Sequence, residues 1–110
     1  MTDQHFQVLW TAVAVLDLKD IIEYIAADSS LNATNVLNKL KDRVAELDQF
    51  PDRGRVVPEL ANVGLSGWRE LVVKPYRIVY RIDRDSVYIL GVLDSRRDLE
   101  ELLLRRLIRM

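Results

Sequence analysis

Residues 68–82, WRELVVKPYRIVYRI, decide the fold of this 110-residue chain, because their side chains alternate with the period of a β-strand. In the second half of the stretch, one predicted face is apolar and aromatic, and the other carries two arginines: Tyr76, Ile78, Tyr80 and Ile82 against Arg77, Val79 and Arg81. Lys74-Pro75 interrupts the pattern as a turn would. The stretch therefore predicts two antiparallel strands joined by a short turn.

The chain beyond this hairpin predicts one more strand and a final helix. Asp83-Arg84-Asp85-Ser86 is a polar turn, and Val87–Leu93 is a further β run, which together extend the hairpin into an antiparallel meander. A helix is expected from about Arg97. Its first turn is acidic and its last turn is basic, as the helix dipole favours: Asp98, Glu100 and Glu101, then Arg105, Arg106 and Arg109.

The chain before the hairpin predicts a short strand and two helices. Phe6–Trp10 alternates like a strand, and Thr11 can cap a helix that ends near Ala27. Asp17 falls on the polar side of that helix. Ser30 can cap a second helix, whose apolar residues step by four and three: Ala33, Leu37, Leu40, Val44 and Leu47. Phe50-Pro51 should end it. The first helix has a similar apolar stripe, formed by Ala14, Leu18, Ile21, Ile22 and Ile25. Two such stripes indicate a helical hairpin facing one core.

Residues 51–67, PDRGRVVPELANVGLSG, form the one long connection without a regular pattern. A long loop of this kind is either functional or a plain connector. The order β-α-α-β-β-β-α predicts an α+β fold, in which a short N-terminal strand and a two-helix hairpin pack on an antiparallel β-sheet, followed by a C-terminal helix. The length predicts a single domain over residues 1–110.

Composition excludes several classes of site. There is no cysteine, so disulfide and thiolate chemistry are excluded, and the only histidine is His5. The glycines form neither a dinucleotide fingerprint nor a P-loop. We therefore expect no metal and no cofactor. The N-terminus lacks the pattern of a signal peptide, and no apolar run approaches the length of a membrane span, so we expect a cytoplasmic protein that does not bind membranes.

Arginines are the side chains left to bind a charged partner. The net charge is −1, but residues 1–52 carry −5 and residues 53–110 carry +4. The candidate binding residues are Arg53, Arg55, Arg69, Arg77, Arg81, Arg96 and Arg97. Gathered on one concave face, they could bind RNA phosphates or acidic side chains of a protein partner. The alternative is ordinary surface charge paired with neighbouring acids.

The segment WRELVVKPYRIVYRIDRDSVYILGVLDSRRDLEELLLRR resembles the C-terminal half of the RelE/ParE toxin superfamily. The matching motifs are the EL…PYRIVYR hairpin and the VLDSRRD ending. The helix DLKDIIEYIA, the LDQFP helix end and the GRVVPEL loop also resemble the superfamily. The resemblance implies the toxin of a type II toxin–antitoxin, or plasmid stabilisation, module. It also implies growth inhibition, neutralisation by a cognate antitoxin protein, and no sequence-specific DNA binding by the toxin itself.

The superfamily divides into ribosome-dependent mRNA endoribonucleases of the RelE kind and DNA gyrase inhibitors of the ParE kind. RelE-like catalysis would place catalytic roles on Arg69, Arg77, Arg96 and Arg97. The second strand lysine of those enzymes is replaced by Leu71, and leucines stand where they carry a tyrosine: Leu102, Leu103 and Leu104. Arginine does not readily exchange a proton, so no general acid or base is evident. The sequence pI of about 5.8 is also low for a protein that binds rRNA.

The two predicted N-terminal helices, at roughly four turns each, are likewise more similar to ParE. We therefore expect a gyrase inhibitor without enzymatic activity. A ribosome-dependent endoribonuclease is the alternative, and a non-toxic regulator that still binds the antitoxin is the second alternative.

Overall fold

The computed structural model describes residues 5–96 and 103–106 and confirms the α+β fold. The elements are β1 (Gln7–Trp10), α1 (Ala12–Ala26), α2 (Ser30–Ala45), β2 (Arg55–Val56), α3 (Pro58–Ala61), β3 (Trp68–Val73), β4 (Tyr76–Asp83) and β5 (Ser86–Asp94). Residues 103–106 are helical, and the predicted start of that helix near Arg97 lies outside the described residues.

The five strands form one sheet in the order β1-β5-β4-β3-β2. The β3–β4 and β4–β5 hairpins are antiparallel, as the sequence predicts, and each turns in two residues. Arg84 has φ 57° in the second turn. The sheet as a whole is mixed, because the short N-terminal strand β1, whose direction the sequence did not predict, lies parallel to β5 at the edge of the sheet. Nothing local in Phe6–Trp10 fixes the direction in which that strand joins a partner far along the chain.

The helical hairpin packs on one face of the sheet. The predicted stripe of α2 supplies buried Ala33, Leu40 and Val44. Leu40 and Val44 belong to a core that continues through the sheet residues Leu71, Val73, Ile78, Tyr80, Val87, Ile89 and Val92. The helix differs from the prediction at both ends. Ser29, not Ser30, caps it by accepting a hydrogen bond from the Asn32 amide (3.1 Å), and it ends at Ala45 before a 3-10 turn at Glu46–Asp48.

The opposite face of the sheet carries a second, smaller core. Its buried members come from the long connection, the sheet and the C-terminal helical turn: Val57, Leu60, Val79, Leu93 and Leu103. The connection predicted to be irregular thus contains an edge strand, β2, and the short helix α3. Along residues 5–96 and 103–106, no helix is both long and apolar enough to cross a membrane.

Thr11 joins α1 to the sheet. Its hydroxyl accepts a hydrogen bond from the Ala14 amide (3.2 Å) and donates one to the Ile89 carbonyl (2.8 Å). The Thr11 amide donates to the same carbonyl at 3.1 Å. One side chain therefore caps the helix and fixes its start beside β5.

Replacing Thr11 with alanine should lower the free energy of unfolding by about 1 to 2 kcal/mol, because a helix cap and a contact with the sheet are lost together. The matched control is Ser29→Ala, which removes an exposed cap alone and should cost about 0.5 to 1 kcal/mol. Urea unfolding curves measure both. Equal losses would show that the Thr11 contact with Ile89 adds nothing to stability.

Candidate functional site

Arg77, the central predicted site residue, is buried beneath α3 on the sheet face away from the helical hairpin. Its Nη1 and Nη2 donate to the two carboxylate oxygens of Glu59 at 2.6 and 2.7 Å. Its Nε donates to Glu70 Oε1 at 2.7 Å. A planar guanidinium suits this two-sided contact. The group that could have bound an external phosphate is therefore held by two carboxylates of the same chain.

Glu70 extends this contact to a second arginine. Its side chain is fully buried in β3, and its Oε2 accepts a hydrogen bond from Nε of Arg55 at 2.8 Å. Arg55, Glu59, Glu70 and Arg77 thus form one group of alternating charge, which we name the Arg77 cluster. Its formal charge is zero. In the described part of the chain, every buried side-chain nitrogen and oxygen has a hydrogen-bond partner.

The charges in the Arg77 cluster reinforce one another. The hydrogen bonds from Arg77 hold the pKa of Glu59 below its ordinary value of 4.5, against the opposing effect of partial burial. In return, the hydrogen bond to Glu59, aided by Glu70, raises the pKa of Arg77 above its ordinary value. Both groups are charged throughout the neutral range, so neither can exchange a proton in a reaction near pH 7.

Tyr80 fixes the loop beside the Arg77 cluster. Its buried hydroxyl donates to the Pro51 carbonyl at 2.6 Å and accepts from the Gly54 amide at 2.9 Å. Burial raises the pKa of Tyr80, so the hydroxyl stays protonated. A Cβ at Gly54 would lie 2.5 Å from both the Glu70 carbonyl oxygen and the Tyr80 hydroxyl oxygen. Only glycine fits where the loop passes this close to β3.

Arg69 and Arg77 lie on opposite faces of the sheet. Arg69 shares its face with Leu71 of the first core, and its Nη1 donates to the Gly54 carbonyl at 2.8 Å. Arg81 shares the face of Arg77, but its guanidinium lies over the ring of Trp68, 5.9 Å from the centroid. The three strand arginines do not converge on one concave face, because the register of β3 and β4 pairs Arg69 with Tyr80, which lies on the face opposite Arg77 and Arg81.

The remaining candidates lie at separate points on the surface. Arg53 bonds to Glu46 at 2.9 Å and lies over the ring of Phe50. Arg96 bonds to Asp94 at 2.8 Å, and that carboxylate raises the pKa of Arg96. Arg97 lies outside the described residues. Each of the six candidates within residues 5–96 therefore has an acidic, carbonyl or aromatic partner inside the chain.

Asp17 and Arg106 form an ion pair that the sequence analysis missed. Nη1 and Nη2 of Arg106 donate to the two Asp17 oxygens at 2.6 and 2.7 Å, and Oδ2 also accepts from the Val92 amide at 3.0 Å. A Cβ at Gly91 would lie 2.9 Å from Nη1 of Arg106, so glycine leaves room for the pair. The pair links α1 to the C-terminal helical turn around the edge of β5. The sequence places Asp17 on the polar side of its helix but does not predict that it contacts Arg106.

No metal site appears among the described residues. His5 is exposed and lies 3.9 Å from Asp48, which provides two donors at most. Residues 5–96 and 103–106 contain no group of three or more histidine or acidic side chains placed to hold a metal ion.

Comparisons with known proteins agree with the fold. The family described as ParE toxin of type II toxin-antitoxin system, parDE, matches residues 8–99. Toxin RelE2 of Caulobacter vibrioides is 39% identical over 78% of this chain and 91% of its own length. Toxin ParE3 of the same organism is 29% identical over 76% of this chain and 80% of its own length.

Two solved structures share the fold. The chromosomal ParDE toxin–antitoxin system from P. aeruginosa aligns with a TM-score of 0.65 and 21% identity, over 83% of this chain and 97% of the matched chain. The toxin–antitoxin complex RelBE2 from Mycobacterium tuberculosis aligns with a TM-score of 0.62 and 23% identity, over 84% and 94%.

Replacing Arg77 with alanine should lower the free energy of unfolding by about 3 to 5 kcal/mol, because Glu70 keeps a buried charge that only Arg55 then balances. Replacing Arg81 with alanine removes an exposed contact with Trp68 and should cost at most about 1 kcal/mol. Chemical denaturation of the two variants measures the difference. Similar losses would mean that the buried position of Arg77 adds no stability.

The Glu59–Arg77 pair should also appear in the pH dependence of stability. Because the pKa of Glu59 is lowered in the fold, its contribution is complete above the unfolded value near 4.5 and is lost as pH falls through the folded value. The Glu59→Gln variant should therefore be less stable than wild type at neutral pH, and the gap should narrow towards about pH 3. Glu23→Gln, an exposed change of the same kind, is the control and should leave the slope unchanged. A constant gap for Glu59→Gln would contradict the assignment.

Proposed function

Because the chain belongs to the ParE toxin family of type II toxin–antitoxin systems, we propose that it acts by binding and inhibiting DNA gyrase and that a cognate antitoxin neutralises it. On this proposal the toxin is a binding protein and not an enzyme. It needs a surface complementary to its target and no group that transfers protons.

The observation that supports binding over RNA cleavage is the occupied guanidinium of Arg77. An arginine that stabilises charge on a phosphate in a transition state must offer donors directed at that phosphate. The forked Nη1 and Nη2 groups of Arg77 are bonded to Glu59, and its Nε is bonded to Glu70. A phosphate could enter only if it displaced a carboxylate that is covalently part of the same chain.

The neighbouring side chains offer no replacement for the missing acid and base. Glu59 is held in its charged form by Arg77, and the Tyr80 hydroxyl is bonded on both sides by backbone groups. Arg69 lies on the opposite face from Arg77. Attack by a ribose 2′-hydroxyl needs a base within hydrogen-bond reach of that hydroxyl, and the Arg77 cluster has no group free for this role.

Ribosome-dependent mRNA cleavage is the second candidate function. A relative with 39% identity carries the name RelE2, and the exposed side chains of Arg55 and Arg96 could contact phosphates from the surface. This candidate would require Arg77 to leave Glu59 on binding RNA.

The purified toxin should inhibit negative supercoiling by purified gyrase in proportion to its concentration, and an equimolar amount of antitoxin should restore the activity. The same preparation should leave translated mRNA uncut in a primer-extension assay. The control is toxin mixed with antitoxin before gyrase is added, which should leave supercoiling unchanged if free toxin is the inhibitor. Full supercoiling at saturating toxin would overturn the gyrase proposal, and cuts in the ribosomal A site would establish the second candidate.

A further inference from the structure

Helix α1 carries a line of exposed apolar side chains on the flank that does not enter the core. Val13 is 40% exposed, Leu16 is 58% exposed and Tyr24 is 83% exposed. With the intervening Asp20 they follow the spacing of one helix flank, three or four residues apart. We name Val13, Leu16, Asp20 and Tyr24 the α1 outer stripe.

The Asp17–Arg106 pair fixes which way the α1 outer stripe faces. Asp17 is four residues after Val13 and three before Asp20, so it borders the stripe on the helix surface. Its carboxylate bonds to the Val92 amide and to Arg106. The stripe therefore lies along the β5 edge of the molecule, where β1 has already ended at Trp10.

The shape of the α1 outer stripe suits another helix. Exposed apolar side chains scattered singly are normal on a protein surface, but three of them along one flank of a single helix, as here, are typical of an interaction site. Side chains in rows of three and four form the ridges that pack into the grooves of a second helix. At about 1.5 Å per residue the stripe is about 16 Å long, which matches about three turns of a partner helix.

The charges along α1 indicate which kind of partner helix would bind the stripe. Asp17 is neutralised by Arg106, and Glu23 lies 3.9 Å from Lys19. Asp20, inside the stripe, has no ion-pair partner among the described residues. An RNA backbone would be repelled by this carboxylate. A second copy packed across a two-fold axis would bring equal acidic flanks together, which is unfavourable. A basic polypeptide is complementary.

We propose that the α1 outer stripe binds an amphipathic helix of the antitoxin, about three turns long. Apolar side chains of that helix contact Leu16 and Tyr24, and a lysine or arginine lies opposite Asp20. The inference rests on the antitoxin partnership of the proposed function and is independent of gyrase as the target. The solved structures that share this fold are toxin–antitoxin complexes.

The test measures the affinity of the toxin for the antitoxin protein encoded by the adjacent open reading frame, by isothermal titration calorimetry. Leu16→Ser and Asp20→Lys should each raise the Kd about tenfold or more, since tenfold corresponds to about 1.4 kcal/mol. Val15→Ser is the matched control, because Val15 is 49% exposed on the other flank of the same helix. It should change the Kd by no more than about twofold. Thermal unfolding confirms that all three variants fold.

The outcomes separate this inference from the proposed function. Loss of antitoxin affinity in Leu16→Ser and Asp20→Lys, but not in Val15→Ser, supports the stripe as the docking site. Unchanged antitoxin affinity in both stripe variants overturns the inference. If these variants also lose gyrase inhibition, the stripe binds the target and not the antitoxin. A wild-type toxin that binds the antitoxin but does not inhibit gyrase overturns only the choice of target. A wild-type toxin that does not bind the antitoxin overturns the inference itself.

Discussion

The pairing of Arg77 with two carboxylates is the constraint on which the second face of the sheet depends. Removing a guanidinium and a carboxylate from water costs several kcal/mol for each ion, and this cost is recovered only when every donor and acceptor finds a partner. Glu70 lies beside Arg77 in the sheet but accepts from one side of the guanidinium only. Glu59 must therefore come from α3 to complete the contact. The position of that short helix follows from the electrostatics of the strand below it.

Contacts with β4, including the Arg77 pairing, also hold the long connection between α2 and β3 in place. Its first part is held by the Tyr80 hydroxyl at Pro51 and Gly54. Its second part is held by Glu59 and by the burial of Leu60 in the second core. A segment rich in proline and glycine is thereby fixed at both ends without a long regular element of its own. Side chains of the β4 strand hold both parts, and the motif residues PYRIVY supply them.

The sequence predicts the repeating parts of this fold well, because period and burial follow from local spacing. Leu40 and Val44 are buried where their helical spacing places them, and Ile78 and Tyr80 share the face that their alternation assigns. The parallel pairing of β1 depends on contacts with residues almost eighty positions away, which no local pattern contains. Helix α3 has only four residues, which is too short for helical spacing of apolar residues to be recognised in the sequence.

The candidate site is less predictable, because the sequence shows which arginines exist but not which acids reach them. Alternation along β3 and β4 correctly separates odd from even positions within each strand. Alternation does not fix the register between the two strands. It is this register that places Arg69 and Arg77 on opposite faces of the sheet. Glu59 and Asp17 are distant in sequence from the arginines that they bind. Their side chains show no special pattern until the fold brings them together.

The Asp17–Arg106 contact also affects the order in which the molecule can be completed during synthesis. The two residues are separated by 89 positions, and β1 pairs with a strand that begins at Ser86. On a translating ribosome, the N-terminal strand and helix leave the exit tunnel long before their partners exist. Contacts so distant in sequence form late, after their loop-closure entropy has been overcome. The edge of the sheet beside α1 therefore closes only after the ribosome has released the chain as far as Arg106, and until then the nascent domain is structurally incomplete.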